Sequence, residues 1–184
     1  MTARTLMAGS ITDFTALVQA IGPSQWGEPT PCTDWNVRDL VNHVAGEHLW
    51  VPHLLRGETV AQVGSRYDGD VLGADPVATW SAAAEVSAKE FGAASDDQLV
   101  HLSFGDTPLS EYADQMLTDL VIHGWDLARG IGAPPRAHAD AVAHVSAYLA
   151  DHVEEWRGYG FKDAVSGTHD DPLDRLIALS GRQP

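Results

Sequence analysis

Long runs of helical apolar spacing constrain this chain more than any other feature. Met7, Ile11, Phe14, Leu17, Val18 and Ile21 recur at i, i+3, i+4 and i+7, and Gly22-Pro23 ends the run. A second helix is announced by Asn36 as N-cap, Asp39 at N3 and Trp35 placed to staple onto Leu40, with Gly57 as its stop. Asp75-Pro76 opens a third helix reaching Ala94, whose buried stripe is Val77, Trp80, Ala84, Ala88 and Phe91. Ser110 begins a fourth that runs to Gly130, and Arg136 to Trp156 forms an alanine-rich fifth. Four amphipathic helices of about 20 residues each, plus extras, predict an all-α bundle. The stretch from Glu58 to Ala74 is expected to be an exposed loop. Gln98 to Phe104 reads as an extended segment with no partner strand, so no sheet is expected. A bundle over residues 1–157 and a tail over 158–184 packed on it, irregular except for a turn of helix at Asp171 to Leu179, complete the expected organisation.

Composition closes off several functions. A chain of 184 residues suits one domain with a sizeable core. Lys and Arg number 11 against 26 Asp and Glu, a net charge of −15, and the only lysines are Lys89 and Lys162. Without a basic face to replace phosphate counterions, no nucleic-acid partner is expected, and the same acidity argues against anionic lipid surfaces. No apolar run is long enough for a membrane span, and Met1 to Ser10 lacks a signal-peptide pattern. The single cysteine, Cys32, has no internal disulfide partner. A cytoplasmic protein is expected.

The chemistry lies in polar residues that fall among apolar ones. On the second helix, Val37, Leu40, Val41, Val44, Val51, Leu54 and Leu55 define a broad apolar arc, yet Glu47 falls inside it and His43 lies one turn earlier. On the fourth, Leu109, Tyr112, Met116, Leu120, Leu127 and Ile131 define the buried stripe. His123 falls near its centre and Asp119 four residues earlier at its edge. Buried carboxylates need partners. Two helices that each aim a His and a carboxylate inward could share one metal ion, with His43, Asp119 and His123 as ligands and an open position for water or substrate. The same pairs could instead satisfy each other by hydrogen bonds with no metal. Glu47 is read as a fourth ligand, a general base or a partner of His43.

Other candidates have plainer readings. His48 lies in the arc and suits the core. His53, His101, His138, His144, His152 and His169 lack a paired carboxylate at helical spacing and are expected at the surface or as caps. Cys32 precedes a helix N-terminus, where a thiol can be activated, but a small buried apolar role is the simpler expectation. Trp125 projects away from its helix's stripe, toward the tail or a second subunit of a homodimer. Arg182 could meet an acidic substrate; a solvated terminal arginine is expected.

The segment Pro29-Thr30-Pro31-Cys32-Thr33-Asp34-Trp35-Asn36-Val37-Arg38-Asp39-Leu40-Val41-Asn42-His43 resembles the N-terminal signature of mycothiol-dependent maleylpyruvate isomerase-like proteins, members of the DinB-like superfamily. Asp119-Leu120-Val121-Ile122-His123-Gly124-Trp125-Asp126-Leu127-Ala128 resembles the second signature, and Asp174 to Arg182 the ending of the short single-domain branch. The resemblance implies a DinB-like four-helix bundle with one divalent metal, usually zinc and sometimes nickel, on His43, Asp119 and His123. At the position of Asp119 the family's isomerase carries Glu. The implied chemistry is activation of a low-molecular-weight thiol, mycothiol, toward a small electrophile, with Glu47 as proton acceptor. A transferase or isomerase is the leading expectation, and a non-catalytic metal-binding or ligand-sensing module the alternative.

Overall fold

A computed structural model of the chain describes residues 1–158 and 160–184. Its elements in chain order are α1 (Ala3–Gln19), α2 (Val37–Leu55), α3 (Val60–Val63), α4 (Pro76–Ala93), β1 (Leu99–Leu102), β2 (Gly105–Pro108), α5 (Leu109–Gly130), α6 (Ala139–His152), a 3-10 turn (Val153–Trp156) and α7 (Pro172–Leu179). The all-α expectation holds: α1, α2, α4 and α5 pack as a four-helix bundle, and α6 lies outside against α5 and α1. No helix among the described residues is long and apolar enough to cross a membrane.

Local sequence explains the element boundaries. The Asn36 side chain accepts from Asp39 N, and the Asp39 carboxylate accepts in return from Asn36 N, so the expected N-terminus of α2 is a complete capping box. The Asp75 side chain accepts from Ala78 N, and Pro76 follows at a position that needs no amide donor. α1 begins earlier than its stripe suggests, because Thr2 and Thr5 form another capping box. Trp80 is fully buried between helices, its ring tilted against Phe14 with centroids 4.8 Å apart, and its indole N–H donates to Thr15 at 3.0 Å.

Three expectations are corrected. The segment at Leu99–Leu102 does have a partner: it pairs antiparallel with Gly105–Pro108, Val100 opposite Thr107, around a turn at Ser103-Phe104. The second strand, Gly-Asp-Thr-Pro, has no apolar alternation, so nothing in its composition marks it. The loop after α2 contains the single-turn helix α3, capped by Thr59 and Gln62. The fifth helix stops at His152 and tightens into the 3-10 turn before Trp156.

α5 is the central helix. Every residue from Leu120 to Ala128 is buried, because α1, α2 and α6 surround it. A helix buried all round has no solvent face, so Trp125 is 2% exposed within the monomer, with the Arg129 guanidinium 5.0 Å above its ring. Trp125, expected to project off the stripe of its helix, is thus buried within the monomer. In the C-terminal segment, α7 packs on α6 and Val165 N donates to Ala178 O.

Candidate metal centre

His43 lies in the second turn of α2, and Asp119 and His123 lie one turn apart on α5. An i, i+4 spacing puts the last two on one face, and packing of α2 against α5 brings His43 to them. His43 Nε2 is 3.4 Å from Asp119 Oδ2, and His123 Nε2 is 3.9 Å from Asp119 Oδ1. One ligand atom from each residue lies within 4.8 Å of the other two. Donors bound to one zinc-like ion at about 2.0–2.2 Å stand roughly 3–4 Å from one another, so two imidazole nitrogens and a carboxylate oxygen here fit a divalent ion.

Trp35 forms one wall of this cluster. Its ring centroid is 4.6 Å from that of His43 and 5.5 Å from that of His123, and the imidazoles meet edge-on at 5.2 Å. The Thr30 hydroxyl fixes the connecting segment by donating to Trp35 O at 2.8 Å, and Val37 N donates to Glu28 O at 2.9 Å. Asp126 supports the opposite ring nitrogen: its Oδ2 is 3.1 Å from His123 Nδ1.

The charges respond to one another. Burial opposes ionisation of Asp119, but the His43 hydrogen bond and the imidazoles of His123, His43 and His48 outweigh it and hold the carboxyl below its usual range. Burial lowers the His43 pKa, yet its hydrogen bond to Asp119 and the charges of Asp119 and Glu47 raise it overall. Glu47 is raised, first by burial and then by repulsion from Asp119, with His43 opposing.

Glu47 and Asp119 line a cavity of about 580 Å³ whose other walls include Tyr112, Phe104, Trp156 and Phe161. His43 and His123 meet Asp119 rather than the cavity wall. The hairpin tip and the 3-10 turn, both unexpected elements, supply Phe104 and Trp156. Tyr112 is buried and its hydroxyl has no partner among the described residues.

His48 is a core residue, 1% exposed, hydrogen-bonded through Nδ1 to Ser87 Oγ at 2.8 Å and set edge-on to Trp80. Several other histidines have carboxylate partners, none at the i, i+4 spacing of one helix: His53 with Glu58 at 2.8 Å, His101 with Asp106 at 2.6 Å and His144 with Asp114 at 2.6 Å. Those partners come from a turn, an opposing strand and another helix, which helical spacing does not detect. Arg182 is not solvated. It is 9% exposed, and its Nε donates to Asp126 Oδ1 at 2.9 Å and Oδ2 at 3.0 Å. Cys32, His123 and Asp126 form a second group with metal-like spacing, but the Arg182 guanidinium already supplies its cation. Burial, then Asp126, raises the Cys32 thiol pKa, so its environment does not favour a thiolate.

Fold and cluster together define a helical bundle with two histidines and an aspartate gathered between two of its helices. The chain belongs to the family described as the mycothiol maleylpyruvate isomerase N-terminal domain, whose model matches residues 7–128. That span contains His43, Glu47, Asp119 and His123. The chain is also 30% identical over 174 residues to an uncharacterized protein found in two strains of Mycobacterium tuberculosis, an alignment covering 92% of this chain and 91% of the relative. No solved structure matches.

Proposed function

We propose that His43, Asp119 and His123 hold a divalent ion, zinc or nickel, and that the chain is a mycothiol-dependent S-transferase or isomerase. The observation that carries this reading is the convergence of three ligand atoms within 4.8 Å beside a cavity that Glu47 also lines. Membership of a mycothiol-related family supports the choice of thiol.

A bound divalent ion supplies one thing here, a lowered pKa for a thiol beside it. Glu47 accepts the proton that the thiol loses, and its raised pKa makes it a better base than an ordinary carboxylate. Asp119, held below the usual range, stays ionised and keeps an acceptor facing the two imidazoles. Trp35 fixes those rings and excludes water on their side. The aromatic walls of the cavity give a small electrophile an apolar surface to rest on. In a transfer by addition the thiol sulfur forms a bond to the electrophilic carbon as that carbon's π bond opens, and the proton held on Glu47 passes to the atom that receives the π electrons. In an isomerisation the S–C bond forms as a C=C π bond opens, rotation follows about the resulting single bond, and the π bond re-forms as the S–C bond breaks, with Glu47 returning the proton to the sulfur.

The test is metal analysis of the purified protein, followed by calorimetric titration of the metal-loaded form with mycothiol. One equivalent of metal and saturable thiol binding are expected, and His43→Ala and His123→Ala should lose both. A metal-loaded protein that binds no mycothiol overturns the reading. Binding without turnover of any electrophile assigns the chain to the sensing alternative.

A further inference from the structure

Asp126 is fully buried, one turn beyond His123 in the stretch of α5, Leu120 to Ala128, where every residue is buried. A buried carboxylate needs compensation, and here two groups share it. Arg182 Nε reaches both oxygens, at 2.9 Å and 3.0 Å, while Oδ2 also stands 3.1 Å from His123 Nδ1. Arg182 comes from the far end of the chain, 56 residues away.

The path of the chain aims it there. α7 ends in a paired turn: Gly181 N donates to Ala178 O and Arg182 N to Ile177 O. Gly181 has φ +85°, and a Cβ on it would lie 2.6 Å from the Lys162 carbonyl oxygen. Only glycine makes this turn against the neighbouring strand of chain, and the turn is what points residue 182 inward.

We infer that Arg182, acting through Asp126, is a positioning residue for His123, and that it couples the C-terminal segment to metal affinity. The inference rests on the metal reading above. Held by the Arg182 guanidinium, Asp126 presents Oδ2 as the acceptor for an Nδ1–H of His123. That hydrogen bond leaves the Nε2 lone pair facing Asp119 and His43. Ligating histidines held this way bind metal more tightly, and loss of the supporting carboxylate weakens affinity by about 10–100-fold. Coupling is reciprocal, so metal must in turn tighten docking of the tail.

The test measures zinc affinity of the full chain by chelator competition in wild type, Asp126→Asn, Arg182→Met and Arg182→Lys. Asp126→Asn should weaken zinc binding by about 10–100-fold and Arg182→Met by about tenfold, with partial recovery in Arg182→Lys. A purely structural role would not alter the ring: nitrogen NMR of the zinc-free wild type should show His123 protonated at Nδ1, and Arg182→Met should mix the tautomers. If the variants fail to fold, the wild type decides, because zinc should slow amide exchange at Gly181 and Arg182. Zinc binding by the wild type with unchanged affinity in folded variants, or with no effect on those amides, overturns this inference alone. A wild type that takes up no zinc overturns the metal reading and this inference with it.

Discussion

Trp35 lies across His43 with the two ring centroids 4.6 Å apart, and the same indole touches His123 from the other helix. One side chain thus fixes both imidazoles. Trp35→Ala should cost about 2 kcal/mol, below the ~3–5 typical of a fully buried tryptophan, because Trp35 is only half-buried. It should also weaken metal binding, whereas Trp35→Phe retains most of both. Thermal unfolding and metal titration of the two variants check this.

Metal binding at the proposed site should stabilise the fold, since the three candidate ligands join α2 to α5 only in the native state. At a free metal concentration of 100 times the dissociation constant, the gain is about 2.7 kcal/mol. For a chain of this size that raises the melting temperature by roughly 5–10 °C. His123→Ala should show no such rise, and chelator should reverse it in the wild type.

Glu47→Gln separates proton transfer from binding. The amide keeps the shape of the cavity wall but accepts no proton at neutral pH. Turnover should fall by about 10²–10⁴-fold, the usual worth of a general base, while metal content stays unchanged. A loss of metal in this variant would make Glu47 a ligand instead.

His48 should make stability depend on pH. Burial holds its pKa down at about 4, against an ordinary 6.5. The unfolded chain therefore binds the proton more readily, and stability falls as pH drops from 6.5 toward 4. The full difference is about 3 kcal/mol. Denaturant unfolding at several pH values should show this component in the wild type and its absence in His48→Leu, which fills the same apolar site beside Trp80.

The candidate site is legible where helical geometry alone governs its residues' placement. Asp119 and His123 are one turn apart on a single helix, so their common face follows from the 3.6-residue period. That His43 meets them requires only that two apolar arcs pack together. Asp126 was equally accessible, three residues beyond His123, but a carboxylate off the expected stripe gave no sign of burial. Where a stretch of helix is surrounded on all sides, as Leu120 to Ala128 is, the stripe ceases to be a guide.

Arg182 shows where sequence stops. Nothing local to residues 174–182 indicates a carboxylate 56 residues earlier, and charged termini are ordinarily solvated. The hairpin is similar: Phe104 lines the cavity because Val100 pairs with Thr107, a register that Gly-Asp-Thr-Pro does not advertise.

The sequence by itself determined the all-α bundle, its helix caps and which histidines face inward, because periodicity and capping act within a few residues. Only the tertiary structure decided how those histidines are held. Trp35, Asp126 and Arg182 come from a loop, a buried helix and the chain's end, and their contacts exist only once long-range packing has excluded water and made every buried charge find a partner.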